Sequence, residues 1–126
     1  MTDIIDACGQ EVADLLDCGY AGQEPQDRDT IPSGGLVIVE RVGGSMTQYA
    51  RSDRPWLQFT VLASSKKQAW DHLRRVREHW GKPVSQVGSL FVYGVEEVLA
   101  PEDASLPADP FYRVRASYRF HVKGLA

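Results

Sequence analysis

His72 and His79 stand seven residues apart on one face of a predicted helix, and His121 is the third histidine of the chain. No carboxylate or cysteine completes a pattern such as H-E-x-x-H, so these residues read as solvent-facing helix histidines and predict no metal site. Gly43-Gly44-Ser45 fails as a nucleophile elbow, because the G-x-S-x-G pattern lacks its last glycine and the segment leaves a strand without entering a helix. Gly34-Gly35 precedes a strand where a phosphate-binding loop would precede a helix, and no lysine follows at P-loop spacing. Glu96 and Glu97 are neighbours in a predicted strand, so their carboxylates point to opposite faces and cannot act as a pair. Cys8 and Cys18 lack a third or fourth partner, and Cys8 falls on the apolar side of a helix, where a thiol is a small buried hydrophobe. These residue types make no case for catalysis, for a metal or for a cofactor.

One constellation remains. Arg113, Arg115, Arg119 and Lys123, with His121, line one side of the last predicted strand, where like charges at i and i+2 repel. Acidic cross-strand partners such as Glu40, Glu96 or Glu97 would make this an ordinary solvated face. Without them it would suit an acidic partner, either another copy of the chain or a nucleic-acid backbone. Single-strand binders interleave aromatic rings with their cations, and this strand offers only Phe111 on that face, which disfavours sequence-specific recognition. A second set of contact residues, Tyr49, Arg51 and Arg54, lies in the long tip from Gly43 to Arg54 between two strands. Such a tip is more often a contact arm than a catalytic loop.

The elements that must hold these groups are legible from periodicity. Leu57, Phe59, Val61 and Ala63 alternate as one face of a strand, and Ala69, Leu73, Val76 and Trp80 then recur at helical spacing. Ser65 and Gln68 can form a reciprocal capping box at the start of that helix, Gly81 stands where a left-handed C-terminal residue is wanted, and Pro83 prevents continuation. Asp3 to Leu16 predicts a first helix with Ile5, Cys8, Val12, Leu15 and Leu16 as its apolar stripe and Gly19 as its stop. Gly19 to Gly35 reads as a long polar loop, and such loops are usually functional or mobile. Leu36 to Val42, Pro55 to Ala63, Leu90 to Leu99 and Phe111 to Lys123 read as strands, with Gly94 hinting at a bulge and Ala100 to Pro110 as an acidic hairpin tip. The order α-β-β-α-β-β predicts one α+β domain over 1–126: a two-layer sandwich of a mainly antiparallel four-stranded sheet with helices on one face.

With 126 residues, 43% hydrophobic and 25% charged, the chain is sized for one core without disulfides or metals. No segment reaches the length of a membrane span, and the start lacks the basic and apolar regions of a signal peptide, so cytoplasmic synthesis is the expectation. The net charge of -3 hides an asymmetry. Residues 1–30 carry eight acids against one base, and the remainder carries 13 bases against nine acids. Opposed charge regions allow copies to stack acidic face to basic face.

An acidic N-terminal helix, a GLVIVERVGG strand from Gly35, R-P-W-L-Q-F-T-V-L-A-S-S-K-K-Q-A-W from Arg54 and F-Y-R-V-R-A-S-Y-R-F-H-V from Phe111 together resemble the tail terminator proteins of long-tailed bacteriophages, also called minor tail or tail completion proteins. The resemblance implies a non-enzymatic structural subunit that closes into a hexameric ring on the head-proximal end of the tail tube. Its partners would be copies of itself, the tail tube protein and a head-completion or connector protein, with DNA only as passing cargo and no membrane. It would stand at the head-tail junction of a virion after assembly in the host cytoplasm, and it would need no cofactor. A heterologous ring contact suits a chain with two unlike charged regions. By position, the Gly43 to Arg54 arm and the basic strand match places where such subunits meet neighbours or the lumen. A neck or connector completion protein shares this architecture, and a small α+β enzyme or ligand-binding domain is the alternative from another class.

Overall fold

The computed structural model describes residues 4–46, 52–83 and 86–123. Helix α1 spans Ile4–Leu16 and α2 spans Lys66–Gly81, and the strands are β1 Gly19–Ala21, β2 Leu36–Met46, β3 Ser52–Ala63, β4 Gln86–Val87, β5 Leu90–Asp103 and β6 Tyr112–Lys123. They form one six-stranded sheet in the order β1-β2-β3-β6-β5-β4, with β1 parallel to β2 and every other pair antiparallel. The sheet is mixed and curls into a half-barrel with the two helices, which replaces the expected four-stranded, mainly antiparallel two-layer sandwich. Both additional strands are too short to show a period. β1 lies inside the expected Gly19 to Gly35 loop, joined to the sheet where the Gly19 N–H donates to the Gly35 carbonyl at 3.1 Å. β4 pairs with the start of β5 around Gly88-Ser89, and Gly88 takes the positive φ of 59° that a two-residue hairpin needs.

Bulges supply the curl. The β2–β3 register slips between Arg41 and Gly43, and the β5–β6 register slips three times, between Val92 and Gly94, Glu97 and Leu99, and Leu99 and Glu102. Each slip adds a residue to one strand, bends it and increases its twist. The first slip in β5 is the bulge that Gly94 suggested. Pro101 occupies the last, so β5 runs on into what read as a hairpin tip. The curl brings both ends of the strand order against α1, which touches β1 and β2 on one side and β4 on the other.

The core lies between sheet and helices. Cys8, Val12 and Leu16 of α1 and Ala69, Leu73, Val76 and Trp80 of α2 pack on Val39, Leu57, Phe59, Val61, Ala116, Tyr118 and Phe120. Phe59 is its hub, with ring centroids 5.9 Å from Trp80, 5.8 Å from Tyr118 and 6.2 Å from Phe120.

The helix ends depart from the sequence reading in instructive ways. Ser65 caps α2, accepting from the Gln68 backbone N–H at 3.1 Å, but the Gln68 side chain donates to the Ser33 carbonyl, so the reciprocal half of the box goes to the 22–35 segment. Gly81 stays helical and Lys82 turns extended, as a residue before proline prefers. Helix α1 is stopped by Asp17 at φ 52°, two residues before Gly19, and the Cys18 N–H reaches back to the Ala13 carbonyl at 3.1 Å in a Schellman closure. Arg75 of α2 then donates to the Leu15 carbonyl at 2.6 Å, setting a cation on the negative end of α1.

Candidate assembly surface

Strand β6 sends Val114, Ala116, Tyr118, Phe120 and Val122 into the core and turns its basic residues to the opposite face. The structure finds an acidic partner within the subunit for each arginine. Arg113 pairs with Glu24 from the 22–35 segment and with Asp109 of the β5–β6 tip. Arg115 donates to Glu102 at 2.7 Å and Arg119 to Glu96 at 3.2 Å, both across the β5–β6 register. Glu96 also meets His121 at 3.3 Å. These bonds, from His121 first and Arg119 second, hold the Glu96 carboxyl below its ordinary range. Water and salt screen solvent-exposed pairs of this kind, so they neutralise the ladder more than they stabilise the fold.

What stays uncompensated lies at one end of the sheet. Lys123 and Arg54 have no ion pair among the described residues, and their rows lie two apart with the Asp53 row between, Lys123 opposite Ser52 and Arg54 opposite Ser45. Tyr49 and Arg51 lie outside the described residues. The tip that carries them springs from this end, beside Gly44, where φ is 113° and a Cβ would stand 2.3 Å from the Arg54 carbonyl oxygen, so that only glycine fits.

Glu96 and Glu97 diverge as alternation requires. Glu96 faces the ladder, and Glu97 faces the helices, where it accepts from Arg77 at 2.9 Å and from the Tyr118 hydroxyl at 3.4 Å. Burial, with the Glu97 charge next in weight, pushes the Tyr118 hydroxyl above its usual range. The helix histidines are not the solvent-facing groups that the sequence suggested. His72 meets the Gly34 carbonyl at 2.7 Å and His79 meets the Glu11 carboxylate at 2.7 Å, so each fastens α2 to a neighbouring element. Among the described residues no group of three His, Cys, Asp or Glu side chains converges.

The sheet also assembles what no single strand could reveal. Trp56 stands directly opposite Arg119 in the β3–β6 register, and the Tyr93 ring lies 5.7 Å from His121. Aromatic rings therefore do accompany the ladder, from neighbouring strands. Val42 on β2 and Phe91, Tyr93 and Leu99 on β5 are large apolar side chains left exposed, at 47%, 64%, 59% and 44%. A scattered exposed residue needs no account, but these four share the two outer long strands.

No protein-family model matches the chain, and no curated protein matches it. Nine solved chains do. One, from the "Virion of native gene transfer agent (GTA) particle", superposes with a TM-score of 0.61 at 14% identity, covering 96% of this chain and 95% of that one. At that identity what the two chains share is the fold, over essentially their whole lengths.

Proposed function

We propose that the chain is a structural virion protein of a phage-like particle that caps the head-proximal end of a tail tube as a hexameric ring, terminates tube growth and prepares head joining. The observation that carries this reading is the end-to-end likeness to a chain of a gene transfer agent virion, a phage-like particle. Its partners are copies of itself, the tube protein and a head-completion protein. Within the ring, Lys123 and Arg54, with Tyr49 and Arg51 of the arm, are the groups assigned to neighbours or the lumen. Arg113, Arg115 and Arg119 shape the same face while their charge is answered inside the subunit.

The test is removal of the gene from the particle that carries it, followed by electron microscopy. Tubes of uncontrolled length without heads are expected. Tubes of normal length that fail to join heads would assign the chain to the connector, and normal particles would end the reading.

A further inference from the structure

One corner of the outer sheet face combines cations and rings that the subunit itself does not use. Lys123 on β6 and Arg54 on β3 have no ion pair among the described residues. They are one strand and two rows apart, which puts their backbones about 8 Å from each other. Strand β5 adds two aromatic side chains. Leu90 and Val92 belong to the core, so Phe91 and Tyr93 turn the other way and are left exposed. Val92 stands opposite Val122, which brings Phe91 beside Lys123, and the Tyr93 ring reaches His121. Aromatic residues and unanswered cations together are the composition of an interface centre with a charged rim.

The chain carries the complement on its other layer. Asp6, Gln10, Asp14 and Asp17 follow at intervals of four, four and three, so they form the outer stripe of α1 and its stop, and all four are exposed. Cys8, Val12 and Leu16 occupy the reverse side, in the core. Asp6 accepts from the Tyr20 hydroxyl, whereas Asp14 and Asp17 have no ion pair among the described residues. Residues three apart on a helix surface are neighbours at about 5–6 Å, within the spread of the Lys123 and Arg54 head groups. The stripe lies on the helix layer and the corner on the far face of the sheet, so the two can meet only between copies.

We propose that Lys123 and Arg54 of one copy engage Asp14 and Asp17 of the next, with Phe91 and Tyr93 resting on the helix beside Gln10. Charge sets the direction of joining. Corner against corner would oppose the cations to themselves, stripe against stripe would oppose the aspartates, and like charges across an interface repel. Since the two patches lie on opposite layers, a two-fold pair cannot use both at once. The contact is therefore heterologous, and it closes a ring when its rotation closes. It rests on the ring-forming role proposed above for its purpose, and on the two surfaces alone for its chemistry.

The test exchanges the charges. One variant carries Lys123→Glu with Arg54→Glu. The other carries Gln10→Lys, Asp14→Lys and Asp17→Asn, asparagine being chosen because it tolerates the φ of 52° at residue 17. All five positions are exposed, and circular dichroism with urea midpoints close to the parent's checks each fold. Sedimentation of the wild type up to about 1 mM, where even a millimolar contact is half formed, should show assembly. Each variant alone should be monomeric, and their 1:1 mixture should assemble again, because every contact then joins unlike charges. Phe91→Ser with Tyr93→Ser should weaken assembly by about tenfold or more. A charge variant that assembles alone, a mixture that stays monomeric, or serines without effect would each overturn the proposal. So would a wild type monomeric throughout, which would hand the corner to a different virion protein. A reassembling mixture alongside normal gene-deleted particles would refute only the tail-capping role, and a monomeric mixture alongside uncapped tubes would refute only this contact.

Discussion

Gly9 sits in the middle of α1, where glycine is a poor choice by about 0.8–1.0 kcal/mol relative to alanine. Its position is explained by Tyr20, the central residue of β1, whose ring lies flat against the helix backbone. A Cβ at residue 9 would stand 2.1 Å from Tyr20 Cε1, 2.4 Å from Cδ1 and 2.5 Å from Cζ. Carbon atoms in contact stay about 3.5–4.0 Å apart, so the ring would have to retreat by roughly 1.4 Å or more. The Tyr20 hydroxyl donates to Asp6 at 2.8 Å, and a retreat of that size breaks the bond.

For Gly9→Ala, overpacking costs about 1–3 kcal/mol and the lost hydrogen bond about 0.5–1.5, against a propensity gain of about 1. The net expectation is a loss of roughly 1–3 kcal/mol. With a urea slope of about 1–3 kcal/mol/M, the midpoint should fall by about 1 M. The same substitution made in a Tyr20→Ala background should change sign and raise stability by up to about 1 kcal/mol, since the helix gain then stands alone. A Gly9→Ala midpoint above that of the parent would show that Tyr20 does not rest on the helix, and would remove the account of how β1 is docked.

Leu73 is fully buried beneath the sheet, so Leu73→Ala should cost about 2–5 kcal/mol in denaturant unfolding of free subunits. Glu96 has a folded-state pKa below its ordinary value of 4.5, so its contribution is present above that value and is lost as pH falls through the lowered one; Glu96→Gln should lower stability near neutrality, flatten the profile in that acid window and match the parent below it. Burial pushes the Cys18 thiol up to about 11 and Cys8 is wholly enclosed, so at pH 8 a thiol reagent should label native Cys18 about a hundredfold more slowly than a free cysteine, with both thiols reacting quickly in urea. Exchanging Lys123 and Arg54 for glutamate should leave the unfolding free energy within about 0.5 kcal/mol of the parent while preventing tail capping, which microscopy of particles carrying the double variant would read.

Periodicity exposed the long elements because their burial is one-sided. The Leu57 to Ala63 alternation and the Ala69 to Trp80 repeat appear as β3 and α2 with every named residue in the core. What periodicity could not reach was anything shorter than its window or settled by a distant partner. β1 and β4 have three and two residues, and their pairing depends on the curl that bulges impose. Gly88-Ser89 was a readable hairpin signal that the surrounding short runs obscured. The histidines could not be placed from their own helix, because Glu11 and the Gly34 carbonyl that hold them lie far away in sequence. On the surface, the basic stripe of β6 and Glu96 as one of its partners were visible, whereas Glu102 needed the bulged register of β5 and Glu24 and Asp109 needed the path of segments outside the strand pair.

That neutralisation changes which forces can join copies of the chain. An unpaired ladder of arginines would attract any acidic surface at a distance set by the Debye length, about 10 Å at 0.1 M salt, and would do so with little geometric selectivity. Once Arg113, Arg115 and Arg119 are answered within the subunit, the cations on that stripe and the adjoining arm base without an ion pair among the described residues are Lys123 and Arg54, at one end of the sheet. With three of the four basic groups of the stripe answered inside the subunit, raising salt should weaken assembly of the proposed ring less than exchanging Lys123 and Arg54 for glutamate does, and sedimentation across a salt series would show the reverse if the arginines drove the contact.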